Sequence, residues 1–154
     1  MANEIQQKYS SVSNFTITLA SLADSSGGVG RQSTLINNAT SKYERIYINL
    51  KVKQGTSPTG NRYVYVYAIR GDGTLRTDSA GASDAGITVY SAECLGAMPN
   101  KASPATGDLL QKDFVLENPG REWGIAVVNN TGVNLDSTEG NHSYTWYGVL
   151  PEVQ

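Results

Sequence analysis

The chain has very few of the residues from which catalytic and metal centres are built. It holds one cysteine, Cys94, and one histidine, His142. A single thiol closes no internal disulfide and supplies no multi-cysteine metal site, so Cys94 is expected as a small, half-buried residue, with a bridge to another chain as the alternative. A Ser–His–Asp arrangement around His142 would have to draw on Asp136, Ser137 or Ser143 from the same loop. The Gly-x-Ser-x-Gly elbow is absent, and His142 reads as a turn or strand-entry residue making local hydrogen bonds. Gly27-Gly-Val-Gly30 lacks the Lys-Ser/Thr and the helix that a phosphate loop needs. A hydrolase is therefore disfavoured, and no cofactor is expected.

Charge is scarce as well. Charged residues make up 17% of the chain, against about 25% in an ordinary globular domain. The net charge is -2 and the cations are scattered, so the basic patch of a nucleic-acid binder is missing. Lys51 and Lys53 read as the wet face of a strand. No apolar run approaches the about 18 residues of a membrane span, and Met1 to Ser10 holds no apolar stretch of signal-peptide length. The expectation is a protein made and soluble in a cytoplasm, with no membrane partner. No stretch longer than about ten residues carries a helical apolar period.

Tyrosine, glycine and period-2 alternation are what the chain does have. Nine tyrosines accompany two phenylalanines; a ring with a hydroxyl suits sheet faces and wet interfaces better than a dry core. Phe15, Ile17 and Leu19 alternate with threonines. Ile46, Ile48, Leu50 and Val52 alternate with Tyr47, Asn49, Lys51 and Lys53, one face core and one wet. In 62–70, Val64, Val66 and Ala68 oppose Tyr63, Tyr65, Tyr67 and Ile69, which predicts a strand covered on both faces by another layer or subunit. Further strands are expected over 86–90, 109–116, 122–129 and 143–150, with a short edge strand over 31–37. Residues 91–107, with two glycines and two prolines, read as a long connection. Gly71-Asp-Gly73 is a turn signal, which also accounts for the Arg70-Gly-Asp72 tripeptide. Seven or eight short strands predict an all-β, antiparallel β-sandwich of jelly-roll type over 13–154, preceded by a polar arm over 1–12.

Two ligand chemistries are weighed on the residues themselves. The carboxylates Asp72, Asp78, Asp84, Asp108, Asp113, Asp136 and Glu139 fall in or near loops. The oxygen-rich stretch 134–140 is conceivable for calcium, though without EF-hand spacing. Trp123, Trp146, Tyr144 and Tyr147 are expected in the core or a subunit interface; the competing reading is a carbohydrate platform.

In its motifs the chain resembles a family of small structural proteins of tailed bacteriophages. The likeness runs through Glu4-Ile-Gln-Gln-Lys, Ile17-Thr-Leu-Ala-Ser-Leu-Ala, Arg31-Gln-Ser-Thr, Leu50-Lys-Val-Lys and Tyr63-Val-Tyr-Val-Tyr, then Arg121-Glu-Trp-Gly-Ile and Gly140-Asn-His-Ser through Tyr147-Gly-Val. It is least in 71–107. The resemblance implies a capsid decoration (cement) protein with no catalytic residues. Such a protein sits on the capsid surface of the virion, binds the major capsid protein, and is often a homotrimer with an N-terminal arm laid on the shell. On that reading Ile5 and Tyr9 of the arm are the candidate capsid contacts, and Tyr63, Tyr65 and Tyr67 the candidate subunit contacts. A glycan-binding module and a tail or fibre component are the alternatives.

Overall fold

The segment with the clearest alternation sets the geometry of the whole. Strand β5 (Arg45–Lys53) buries Ile46, Ile48, Leu50 and Val52 completely and leaves Arg45, Tyr47, Asn49, Lys51 and Lys53 half exposed. A strand so divided must lie in a sheet with one dry face. The computed structural model describes residues 5–153, and among these β5 has its dry face against a second sheet.

The topology is a set of nested antiparallel pairs. Innermost, β6 (Tyr63–Gly71) pairs with β8 (Cys94–Pro99). Around them β5 pairs with β9 (Leu109–Glu117), β3 (Val29–Gln32) with β10 (Glu122–Asn130), and β2 (Ser13–Asn14) with β11 (Ser143–Val153). Successive pairs fall in alternate sheets: β2, β11, β5 and β9 in one, β3, β10, β6 and β8 in the other. One long hairpin rolled over itself in this way is a jelly roll. The expected sandwich is therefore the fold. Three short strands extend it: β1 (Ile5–Tyr9) beyond β11, β4 (Ile36–Asn37) on β10, and β7 (Ala85–Thr88) outside β3.

Between the sheets lies a core of Ile, Leu and Val with an aromatic brace across its middle. Trp123 of β10 meets Trp146 of β11 edge to face, with centroids 5.0 Å apart, and Phe15 packs edge-on against Trp123 at 5.5 Å. Such pairs add about 0.5–1.5 kcal/mol to the burial itself. Among the described residues neither buried indole N–H group has a partner, so the brace is held by packing. A second, smaller core sits on the outer side of the six-stranded sheet. Ile69, Ala80, Ile87 and Ala126 are buried there, with Leu35, Tyr67 and Val89 against them. The chain between β6 and β8 folds back to make that layer. Asp78 holds it shut by accepting the N–H groups of Tyr90, Ser91 and Ala92 at 2.9–3.0 Å. Gln32 does the same from beneath, donating to the carbonyls of Gly81 and Ser83.

Several expectations are corrected. Phe15, Ile17 and Leu19 are buried in strict alternation, but they form no ladder. The segment crosses from one sheet to the other, Phe15 donating to Tyr144 of β11 and Thr16 accepting from Thr34 beyond β3. The stretch read as a connection over 91–107 contains β8, which no alternation announces because Gly96 and Pro99 interrupt it. Gly96 has φ of 148°, and a Cβ there would press on the Phe114 ring at 3.3 Å. Cys94 is exposed rather than half buried, because it lies where β8 slips register against Val66 and Tyr67. The 31–37 segment is two strands, and β3 lies inside its sheet between β7 and β10.

Replacing Trp123 by alanine removes the centre of the brace and is expected to cost about 3–5 kcal/mol. Tyr63→Ala, at a position 40% exposed, is expected to stay within about 0.5 kcal/mol. Urea unfolding of the two variants checks both values.

Candidate interaction surfaces

The N-terminal arm is not loose where it is described. Ile5 to Tyr9 form β1, paired residue for residue with Val153 to Val149. Of the polar arm expected over residues 1–12, residues 5–9 are thus a sheet strand, and residues 1–4 lie outside the described residues. All five side chains are nevertheless exposed, Ile5 by 75% and Tyr9 by 59%. Among the described residues only one edge of β1 is bonded. Lys8 reaches Glu152 at 2.7 Å, and Ser10 exchanges hydrogen bonds with Gly148 at 2.8 and 2.9 Å. The strand is thus placed by backbone pairing and buries almost nothing.

The outer face of the five-stranded sheet is open. Tyr147 and Tyr47 stand opposite one another on β11 and β5, their rings near parallel at 5.0 Å, with Tyr9 at 6.1 Å on the far side. The Arg45 guanidinium bonds Glu117 at 2.7 Å and lies 3.5 Å from the Tyr47 hydroxyl. One register step along, Thr145, Asn49 and Asp113 form a polar row.

The tyrosines of β6 divide. Tyr63, Tyr65 and Tyr67 line one face at successive centroid spacings of 5.7 and 6.4 Å. Tyr67 packs into the second core, where burial pushes its hydroxyl up from the ordinary range. The covering layer expected for this face is therefore supplied in part by the chain itself. Tyr63 is exposed and Tyr65 half buried, so the surface left for a partner is smaller than the sequence pattern suggests.

The loop around His142 is structural. Its Nδ1 accepts the Lys53 N–H at 3.3 Å and its Nε2 faces the Asp136 carbonyl at 3.1 Å, which assigns the tautomer with Nε2 donating. Asp136 turns its carboxylate to the Asn141 amide, the Thr138 N–H and the Lys53 ammonium rather than to the imidazole. The Asn141 and Thr138 bonds, with Lys53, hold its pKa down at about 2. Glu139 accepts from Leu19 and Ala20 at 3.0 and 2.7 Å and from the Tyr144 hydroxyl. Partial burial opposes its charge, but these three donors outweigh it and keep the carboxyl below its ordinary range. Burial and then the Glu139 bond push the Tyr144 hydroxyl well above the ordinary tyrosine range. The calcium reading of 134–140 finds no support, since both carboxylates are engaged by protein donors. Among the described residues no cluster of three or more His, Cys, Asp or Glu is gathered for a metal.

Trp123 and Trp146 lie in the core, as the alternation suggests, with Tyr144 beside them. Tyr147 does not; it belongs to the open face. Tyr47 escapes a reading by sequence because its neighbours mark it only as the wet side of a strand. Among the described residues no helix is long and apolar enough to cross a membrane. No family model, curated protein or solved structure matches the chain.

Both loop carboxyls have folded pKa values below their ordinary 3.8 and 4.5. Their stabilisation is complete above those ordinary values and is lost as the pH falls through the folded ones. The urea midpoint is expected to be level from about pH 7 to 5 and to fall below that. Glu139→Gln should cost about 1–2 kcal/mol at neutral pH by losing the charged acceptor, and should flatten the acid limb. Urea titrations of both proteins at a series of pH values measure the difference.

Proposed function

We propose that the chain is a non-enzymatic structural protein of a phage virion that binds the outside of the capsid shell and stabilises it. The observation that carries this reading is β1: a terminal strand with every side chain exposed, two of them large and apolar, and one backbone edge free. A free edge can accept a further strand from a partner, main-chain bonds giving affinity and side chains selectivity. The sequence resemblance to phage decoration proteins supplies the class of partner, a major capsid protein. Use of the single histidine and of the loop carboxylates as internal ties favours a binding module over a hydrolase.

In this reading Ile5 and Tyr9 meet the shell, and Tyr63 with Tyr65 meets a neighbouring copy in a homotrimer. Weak contacts repeated over a shell sum to a large stabilisation without any tight single site. The chain is then made in the host cytoplasm and ends on the capsid surface.

Deleting residues 1–12 leaves the core strands intact, because β1 buries almost nothing. The truncated chain is expected to keep a folded far-ultraviolet spectrum and cooperative melting while losing most of its occupancy on purified heads. Equal occupancy of the full and truncated chains would remove the arm from the docking role. Light scattering of the full chain is expected to give a mass near three times 16.5 kDa.

A further inference from the structure

We infer that β1 is a self-pairing edge: two copies of the chain join along it, antiparallel, about a twofold axis through Gln7. The inference goes beyond the capsid reading, because it names a second copy as the strand that takes the open edge and needs no shell to form. The pairing uses backbone groups and leaves the outer sides of Ile5 and Tyr9 open. A trimer made through Tyr63 and Tyr65 on the other sheet is not touched by it.

The hydrogen bonds around β11 fix which groups the edge presents. In an antiparallel ladder, opposed residues alternately exchange both main-chain bonds or neither. The Ser10 N–H donates to the Gly148 carbonyl at 2.9 Å on the β1 side, whereas the Val149 carbonyl accepts the Glu44 N–H at 3.0 Å on the β5 side. Tyr9, opposite Val149, therefore turns its own N–H and C=O away from β11. Gln7 and Ile5 do likewise by the two-residue period, while Lys8 and Gln6 face Leu150 and Glu152. The open edge thus offers the main-chain groups of Ile5, Gln7 and Tyr9.

Those groups select the register. With Gln7 opposite Gln7, Ile5 lies opposite Tyr9 in both directions, and every outward N–H and C=O finds a counterpart. Moving the axis to Lys8 puts Ile5 opposite Ser11, beyond the strand, and sets Lys8 against Lys8, which is destabilising. Moving it to Gln6 leaves Tyr9 with no strand residue opposite among the described residues. The side chains agree with the axis at Gln7. Ile5 and Tyr9, exposed by 75% and 59%, become an aromatic and β-branched cross-strand pair, a favourable combination. On the other face Lys8 meets the Gln6 amide of the second copy and keeps its own Glu152 at 2.7 Å. Because each copy contributes one short strand, the contact is weak and depends on concentration. Copies held side by side on a repeating surface are linked by it.

The test is sedimentation equilibrium of the full chain from about 10 µM to about 1 mM, with amide exchange followed by NMR over the same range. The mass is expected to rise above its dilute limit. The Gln7 and Tyr9 amides should slow as it does, while those of Gln6 and Lys8, bonded to β11, stay unchanged. Gln7→Pro removes the N–H at the axis without touching the β11 ladder, and Gln7→Lys and Gln7→Glu each place like charges there. Each variant is expected to weaken association at least about tenfold. An equimolar mixture of the Gln7→Lys and Gln7→Glu chains is expected to regain it, since opposite charges then meet across the axis. A mass constant over the whole range, association indifferent to Gln7→Lys, or a mixture no better than its parts would each overturn the assignment.

Discussion

Strand β10 is buried on both faces, and most of the architecture answers to that. Its inward residues Trp123, Ile125 and Val127 lie in the main core, while its outward Ala126 lies in the second one. Gly124 shows how tight the outer side is: a Cβ there would come within 2.7 Å of both Leu35 and the Ser33 hydroxyl. A strand in this position cannot stand in a two-layer sandwich with one side wet. The chain must cover it, and the excursion between β6 and β8 does so. The two outer faces of the molecule therefore differ in kind. One is largely occupied by the protein's own chain; the other, across Tyr47 and Tyr147, is open.

That asymmetry decides where binding can occur. Capping the six-stranded sheet buries Ile69, half covers Tyr67, and leaves Tyr63 and Tyr65 as a narrow strip. The five-stranded sheet keeps its whole tyrosine and polar row exposed, with β1 continuing it past β11. A rigid sheet is a good mount for such a row, because backbone pairing on both sides fixes each side chain's spacing.

How much of this was legible in the sequence follows from which forces act locally. β5 declares itself, since its period-2 pattern is the direct imprint of one dry and one wet face. The nested pairing is not written in any single segment; it emerges from where strands meet. Segment 15–19 carries a strand's pattern without a strand's ladder, because Glu139, about 120 residues away in sequence, supplies the acceptors for Leu19 and Ala20. β8 carries a ladder without a strand's pattern, because the pairing of Tyr63 to Tyr67 recruits it despite Gly96 and Pro99. The open face is half legible: Tyr147 is marked by its ring, while Tyr47, Asn49 and Asp113 come to share its face only when the register aligns three strands distant in the chain.

The sheet edges bear on assembly. An unpaired edge invites further strands unless it is short, bulged, charged or covered. β7 has four residues, and β8 is bulged, ends in Pro99 and has its Ala97 carbonyl taken by Lys112 of β9 at 3.0 Å. β9 carries Lys112, Asp113 and Glu117. β1 has a single charge, Lys8, already neutralised by Glu152, and is the least protected of the four. Paired with itself antiparallel about Gln7, it would set Ile5 against Tyr9 and Lys8 against Gln6, with no like charges opposed. Such a contact is isologous and closes as a twofold dimer, whereas a threefold ring needs a heterologous contact between two different patches. The β1 edge and a trimer interface therefore cannot be one and the same self-pairing. A β1 edge engaged in a threefold ring would instead have to meet a different strand of its neighbour.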